Sequence, residues 1–478
     1  MFDFAHIARY RESNRIEAKR ATGGFPGSIW ETYSAFANTV GGIILLGVEE
    51  QADKSFRVAP LPDPQLLVDR FWEGVNDPAV VSVNLLTTRD VRIEETPTGP
   101  IVVIEVPRAT RYDRPVYIGG DRYTGSYRRC GEGDYRCSRR QIDAMLRDRS
   151  RKTADGGVPG GSSLRNLRPQ TIRAYRNRLM RLRPRFAVGA TDEEFLQRIG
   201  AVRACRDGAL RPTVAALLLF GGRRAIARQI APLRLEYIEE GQLLFSTQSG
   251  DCMNLYDFYT RVRRRFFHLA VSGGQRHAKR FLAALREGLL NALIHADYYS
   301  GGVTRITVER DRILMENPGS LRLGADEAIR EHRRDQRNPR LAALFCLIRE
   351  CGGTGDGLSL LVRELPACGW AAPVLTEIFN PAEGVRLTLS RGGSADDAPV
   401  ITAPLSDTQT EQYILDFLTD EPASDTERIR RQLGLNPDEF RAALLRLRRA
   451  GLIECDDTGG NICCSLPYLP VKGGKKKS

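Results

Sequence analysis

The sequence predicts an α+β multidomain chain. Three observations lead there. The chain has 478 residues, and a domain takes ~150 residues on average, so about three domains are expected. Its 42% hydrophobic and 27% charged residues make an ordinary globular balance, which excludes a wholly disordered or collagen-like chain. Helix-like and strand-like patterns alternate along it, and two Gly/Ser/Pro-rich stretches interrupt them, RKTADGGVPGGSSLRNLRP and RGGSADDAP. The resulting order is a first block at 1–150, a basic linker and helix at 151–185, and a second block at 186–390. A linker at 391–405, a third block at 406–470 and a basic tail at 471–478 complete it.

Charge is the conspicuous bulk property. There are 71 Lys and Arg against 59 Asp and Glu, a net charge of +12. Only eight of the bases are Lys, so the charge is an arginine charge. Arginine pairs bidentately with phosphate and stacks on bases, which suits a polyanionic partner. Codon bias in a GC-rich genome would produce the same total. Residues 151–185 carry ten bases and one acid, a placement that suits phosphate contact, as does the arginine-rich helix near the C-terminus.

The longest apolar runs, such as Ala215–Phe220, are far shorter than the ~18–20 residues of a membrane span. The opening MFDFAHIARYRESNR has no apolar core of signal-peptide length, so a cytoplasmic location without a membrane partner is expected. Ten Cys residues show no C-x-x-C spacing, so reduced thiols are expected rather than disulfides or zinc.

In the first block, Glu12 and Glu17 are five apart, with Lys19 and Arg20 just beyond. WETYSAFANTVGG reads as a helix stopped by a Gly pair. IILLGVEE then reads as one buried strand ending in Glu49 and Glu50. Such a strand end can bring Glu49 near Glu12 and Glu17, and three carboxylates can hold a divalent cation for phosphodiester hydrolysis. Plain pairing of Glu12 and Glu17 with local bases is the other reading of the spacing. The strings E-S-x-x-x-E-x-K, S-A-F-A-N-T-x-G-G and G-V-E-E, with RPVYIGGDRYTGSYRR as a later strand pair, resemble the Schlafen AlbA_2 domain over about residues 8–145. That resemblance implies nucleic-acid binding, with Lys19 and Arg20 as contacts. For its nuclease members it implies a catalytic, metal-binding set at Glu12, Glu17 and Glu49. Two departures stand out: Ala18 replaces the usual aromatic, and Glu49 stands where the nucleases carry Asp.

In the second block, TVAALLLFG reads as a strand and Asp192–Ile199 as an amphipathic helix. In REGLLNALIHAD, Glu287 and Asn291 lie one helical turn apart on one face. A Glu that orients water beside an Asn that ligates Mg²⁺ would explain two polar groups on an otherwise apolar helix. RILMENPGSL reads as a strand entering a turn, and ECGGTGDGLSLLVREL as a glycine-rich loop opening a helix, a phosphate-binding arrangement. In this order the motifs resemble the GHKL ATPase superfamily, in its divergent RecG C-terminal-like branch (HATPase_c_4), over about residues 210–390. The resemblance implies a GHKL-type α/β sandwich that binds ATP and Mg²⁺, with Glu287 catalytic and Asn291 on the metal. Glu316, Asn317 and Gly319 would line the adenine side, and Gly353, Gly355 and Gly357 the phosphate loop. E-N-P-G-S replaces the usual D-x-G-x-G box, and there is no Walker motif G-x-x-x-x-G-K-[ST].

The third block reads as three helices and a hairpin, an arrangement that looks like a winged helix-turn-helix. TQTEQYILDFL carries an apolar stripe. Ser424 or Asp425 caps the second helix, and Pro437 opens the third. That third helix offers Arg441, Arg446, Arg448 and Arg449 to a phosphate backbone. Together these readings give a nucleotide-responsive transcriptional regulator that binds nucleic acid, DNA before RNA, as a homodimer or larger homo-oligomer, with stress or phage and mobile-element defence as its expected setting. The rival is a metal-dependent nuclease gated by ATP.

Overall fold

The computed structural model describes residues 15–183, 191–272, 277–330, 335–348, 357–379, 383–392, 411, 414, 415, 417, 418, 424–433, 437–458 and 461–465. It is a mixed α/β chain of two compact units. The first runs to Lys152 and takes in residues 322–324 and 379; the second holds the rest.

The first unit is built on a four-stranded sheet. Its strands are β1 (Ile16–Lys19), β2 (Gly42–Leu46), β5 (Val91–Thr96) and β6 (Gly99–Val106), in the order β1-β2-β6-β5. β1 runs parallel to β2 and the other pairs are antiparallel. The single strand expected for IILLGVEE is broken at Gly47, whose φ is +84°. Only glycine takes that angle without strain, and a Cβ there would come within 2.8 Å of Leu61. The chain therefore leaves the sheet, and β3 (Val48–Glu50) pairs with β4 (Phe56–Val58) in a separate ribbon.

Helix α1 (Ile29–Asn38) explains why S-A-F-A-N-T is written as it is. Tyr33 and Phe36 fill the core under the sheet with Phe71 of α2 (Pro64–Val75). The polar residues of the string are buried too, and each has a backbone partner. Ser34 Oγ donates to Val116 O (2.8 Å) and accepts from Tyr127 N (2.9 Å). Asn38 Nδ2 donates to Val116 O (2.7 Å) and Tyr127 O (2.9 Å), while its Oδ1 accepts from Val116 N (2.8 Å). Thr39 Oγ1 accepts from Arg129 N (3.0 Å). These bonds stitch α1 to an irregular segment and to β7 (Tyr127–Cys130), which pairs with β8 (Gly133–Arg136). Of the strand pair expected at 114–129 only the end is strand. Its middle is the short helix α3 (Arg122–Gly125), capped by Asp121. Helix α4 (Arg139–Arg149) closes the unit with a Ser138–Gln141 capping box.

The second unit begins at Thr153, inside the stretch expected as a mobile connector. That stretch is folded. Asp155 is fully buried, and its Oδ2 accepts from Arg340 N (2.7 Å) and Leu341 N (2.9 Å). Arg168 N donates to Phe220 O (2.8 Å). Helix α5 (Pro169–Leu182) follows where the sequence places it, with Ile172, Tyr175 and Leu179 in the core. Helix α6 (Asp192–Arg198) is also as expected, with a Thr191–Glu194 capping box. A small ribbon of β9 (Val202–Ala204) and β10 (Leu210–Pro212) leads into TVAALLLFG. That string forms helix α7 (Val214–Phe220), not a strand. Thr213 caps it by accepting from Ala216 N, and every residue of the helix is buried. A run apolar on all sides has no periodicity to separate helix from strand.

After α8 (Arg223–Gln229) comes a six-stranded sheet. It comprises β11 (Arg234–Glu239), β12 (Gln242–Ser246), β13 (Val303–Val308), β14 (Arg312–Pro318), β15 (Val374–Ile378) and β16 (Gly384–Ser390). Their order is β12-β11-β13-β14-β16-β15. Helices α9 (Leu255–Ser272), α10 (Ala278–His295), α11 (Ala325–Arg330), α12 (Pro339–Leu347) and α13 (Gly357–Ala367) complete this part. Gly288 lets α10 lie close on the sheet, because a Cβ there would come within 2.8 Å of Met315 Sδ.

The C-terminal part joins the same core through Ile414, Phe417, Ile429, Phe440, Leu447 and Ile453. Its elements are β17 (Ser424–Asp425), α14 (Thr426–Leu433), α15 (Pro437–Arg449), β18 (Glu454–Thr458) and β19 (Asn461–Ser465). Asp425 caps α14 by accepting from Arg428 N (3.0 Å). Cys455 and Cys464 face each other on β18 and β19 as a disulfide, where reduced thiols were expected. Among the described residues no helix is long and apolar enough to cross a membrane.

Candidate functional site

In the first unit the chemistry gathers around Glu17. Strand alternation turns Glu17 and Lys19 to the same side of β1. Lys19 Nζ lies 3.0 Å from Glu17 Oε1, and Arg129 Nη2 lies 2.9 Å from Glu17 Oε2. Arg129 is 1% exposed, and its Nη1 meets Asp134 Oδ1 at 2.9 Å. Thr32 Oγ1 donates to Asp134 Oδ2 (2.7 Å). A charge this deep needs partners on every side, and the chain supplies two carboxylates. Glu49 is on β3, beside β1, and is half exposed. Its Oε2 is 3.7 Å from Nε of the exposed Arg20. Glu12 lies outside the described residues. Among the described residues no group of three His, Cys, Asp or Glu is placed to hold a metal ion.

In the second unit three expected residues come together. Glu287 and Asn291 are one turn apart on α10, and Asn291 Nδ2 reaches back to Glu287 O (3.4 Å). Gly357 opens α13 directly against them. A Cβ at Gly357 would stand 2.5 Å from Glu287 Oε1 and 3.0 Å from Asn291 Nδ2. An amide-rich helix N-terminus therefore faces a carboxylate and a carboxamide, and the backbone there has no room for a side chain. Gly353 and Gly355, earlier in the loop, lie outside the described residues.

The adenine-side residues divide between the two faces of the sheet. Met315 faces α10, so Asn317, buried, shares that face and Glu316 points to the other. Glu316 is held there by Arg386 Nη2 at 2.6 Å. It is thus on the far side of the sheet from Glu287 and Asn291, against the expectation, because one step along a strand reverses the side chain. Gly319 has φ +97°, and a Cβ there would come within 2.8 Å of Arg337 Nη1.

Arg337 and Asn338 were not among the expected residues. Arg337 Nη1 donates to His295 O, and its Nη2 to Ser320 O (2.8 Å). Asn338 Nδ2 donates to Ile294 O and Ala296 O, both at 2.8 Å. Together they cap the carbonyl end of α10, where a cation also suits the helix dipole. Asp297, buried beside them, has its backbone N bonded to Pro318 O (2.8 Å). This ties the end of α10 to the end of β14 and sets the height of Asn291 above the sheet. The only sequence signal was the pair of strings NALIHADY and RNPRLAALF, 46 residues apart at Asn291 and Arg337.

The arginine clusters are largely used within the fold. On α5, Arg178 is buried, Arg176 pairs with Asp192 (3.0 Å), and Arg181 donates to Leu415 O. On α15, Arg446 Nε is 2.5 Å from Glu411 Oε1. Arg441, Arg448 and Arg449 remain exposed.

Three family models match parts of the chain. Residues 12–138 match the family model described as Schlafen, AlbA_2. The N-terminal unit carries a Schlafen AlbA_2 domain. The AlbA_2 match holds all three candidate carboxylates and ends just past Asp134. Residues 143–236 match a domain of unknown function (DUF8451). Residues 301–389 match the family described as "Putative ATP-dependent DNA helicase recG C-terminal", HATPase_c_4. That span takes in β13 to β16 and Gly357, but not Glu287 or Asn291. None of the three matches passes residue 389. Among solved structures, the chain is similar to the DIP2311 protein of Corynebacterium diphtheriae at 16% identity, over 95% of this chain and 94% of that one, with a TM-score of 0.39. It is also similar to the N-terminal domain of a RecG-related protein from Nitrosomonas europaea. That likeness is 30% identical over 29% of this chain and 94% of that one, with a TM-score of 0.22. No curated protein matches the chain.

The AlbA_2 domain also contains residues that sequence reasoning passed over. Arg129, Asp134 and Thr32 give Glu17 its surroundings. One signal was present: in Tyr127-Arg-Arg129 the second arginine shares a face with a tyrosine suited to the core.

Proposed function

We propose that this chain is an ATP-binding, nucleic-acid-binding protein, acting on DNA as a nucleotide-responsive regulator of transcription. The observation that carries the reading is the approach of Gly357 to Glu287 and Asn291. Because Gly357 has no side chain, the N–H groups at the start of α13 stand next to a carboxylate and a carboxamide, a set of groups that suits a metal-bound polyphosphate. Asn291 would hold Mg²⁺, and Glu287 would hold and orient water. The backbone N–H groups at the start of α13 would receive phosphate oxygens. Asn317 shares their side of the sheet and suits a nucleobase edge better than Glu316 does. When bound, ATP would supply the triphosphate that these groups receive. Arg441, Arg448 and Arg449, on a helix followed by a hairpin, suit the winged-helix reading and a phosphate backbone.

The test is thermal stabilisation by ATP with Mg²⁺. Ligand at ~100 times its dissociation constant adds ~2.7 kcal/mol to stability. Stabilisation that Asn291→Ala abolishes supports the reading; its absence at millimolar ATP in the unsubstituted chain ends it. A footprint on DNA that changes with ATP would establish the regulatory part.

A metal-dependent nuclease remains the second reading, because Glu17 and Glu49 lie on adjoining strands β1 and β3 of the AlbA_2 domain. Labelled DNA, tRNA and single strands with Mg²⁺ or Mn²⁺ test it. Cleavage that both Glu17→Gln and Glu49→Gln abolish supports it; no cleavage under any metal or nucleotide excludes it.

A further inference from the structure

We propose that a second copy of this chain docks on the open face of the six-stranded sheet, related to the first by a two-fold axis between β13 and β14 and parallel to the strands. α10 covers one face of that sheet. On the other, the alternate residues of β13, β14 and β16 stay partly exposed.

Two rows of side chains cross this open face. In the first, strand register places Glu236, Arg305, Glu316 and Arg386 side by side on β11, β13, β14 and β16. Arg305 pairs with Glu236 at 2.8 Å and Arg386 with Glu316 at 2.6 Å. The row alternates in sign and has no net charge, in a chain of net +12. The second row runs Leu243, Ile238, Thr307, Leu314, Thr388 and Val374. Its ends, Leu243 and Val374, are each 54% exposed. Leu244, next to Leu243 on β12, is 41% exposed.

The rows are complementary to themselves. A two-fold axis along the strands exchanges β12 with β15, β11 with β16, and β13 with β14, and leaves height along the strands unchanged. It sets Glu236 opposite the second copy's Arg386 and Arg305 opposite its Glu316. It sets Leu243 on Val374 and Leu314 near Thr307. Opposite charges then meet at every point of the first row, while the exposed apolar ends of the second cover each other. A residue i that meets j while j meets i is what an isologous interface requires. Two such sheets pack ~10 Å apart. Six strands about 4.8 Å apart and five residues about 3.4 Å apart give a face of ~500 Å² per copy. The ~1,000 Å² buried in total lies at the weak end of specific interfaces, so the dimer should exchange with monomer at micromolar concentration. The proposal concerns assembly and stands apart from nucleotide binding.

Sedimentation velocity of the full chain between about 1 and about 100 µM tests it, a range that brackets a weak interface. The expected result is a monomer that becomes a dimer, less so at high salt. Arg386→Glu and Glu236→Arg should each leave the chain monomeric at the top concentration, since each sets like charges opposite each other twice. Mixing the two variants should restore a dimer, because the new acid of one then faces the new base of the other. Leu243→Lys, at an exposed site, should also give monomer with an unchanged melting temperature. The proposal is overturned if the unsubstituted chain is monomeric throughout, if dimers survive both reversals, or if the mixture fails to re-form them.

Discussion

Gly357 stands against Glu287 so closely that a Cβ would fall 2.5 Å from the carboxylate Oε1. The first residue of α13 thus packs against the side chains of Glu287 and Asn291 on α10 with no room for a side chain of its own. Gly357→Ala should force Glu287 and Asn291 aside, both being the ends of flexible chains. An ATP affinity lower by about tenfold, ~1.4 kcal/mol, is expected. Titration calorimetry would measure it, and unchanged affinity would show that this site is not where ATP binds.

Arg129 is buried between Glu17 and Asp134. Removing one partner of a buried ion pair costs about 3–5 kcal/mol, since the other charge is left without compensation. Arg129→Met should destabilise the AlbA_2 domain by that order in urea melts. Adding Glu17→Gln to it should recover part of the loss, so that the two effects are less than additive. Full additivity would contradict the pairing.

Asp155 is held by burial above the usual carboxylate range near 3.8, although it receives two backbone N–H groups of α12. Loss of such a cap costs about 1–2 kcal/mol, the effect expected of Asp155→Ala. The pH dependence has a definite sign. A carboxyl raised in the folded state favours folding most when protonated, below about 3.8. That advantage disappears as pH rises through the raised value. Asp155→Asn should therefore flatten the fall in stability above pH 3.8, read from urea midpoints across a pH series; the same slope in the variant would sink this account.

On α15 the arginines should separate by salt dependence. Each phosphate contact contributes ~0.9 to the slope of log affinity against log salt on duplex DNA. Arg448→Ala with Arg449→Ala should lower that slope by ~1.8. Arg446→Ala, whose partner is Glu411, should leave it unchanged and cost ~0–1 kcal/mol of stability. A lower slope for Arg446→Ala would place that side chain on the nucleic acid.

Local patterns in the sequence carried much of this chain. Pro169 and the apolar stripe after it mark α5, and Asp425 and Pro437 mark the two late helix starts. The spacing of Glu287 and Asn291 sets them on one face. The SAFANT string marks α1, though only folding shows that Ser34, Asn38 and Thr39 serve backbone groups of residues 116 to 129. Other readings failed where local pattern is silent. TVAALLLFG is apolar on every side, so burial alone gives no period and the capped helix won. IILLGVEE needed the positive φ of Gly47 to divide it.

The arginine excess shows where the limit lies. Net charge and its clustering are properties of the sequence, and they suggested phosphate contacts on α5 and α15. Which arginines are free to make them depends on distant residues: Asp192 takes Arg176, Leu415 takes Arg181, and Glu411 takes Arg446. The same holds for Glu316, whose motif pointed to the side of Glu287 and Asn291 while the strand's alternation turned it to the open face. By itself the sequence determined helix caps, turn glycines and faces, because those interactions span a few residues. Only the tertiary structure decided which charges are neutralised and which face each strand presents, because ion pairs and sheet register join residues that the chain keeps far apart.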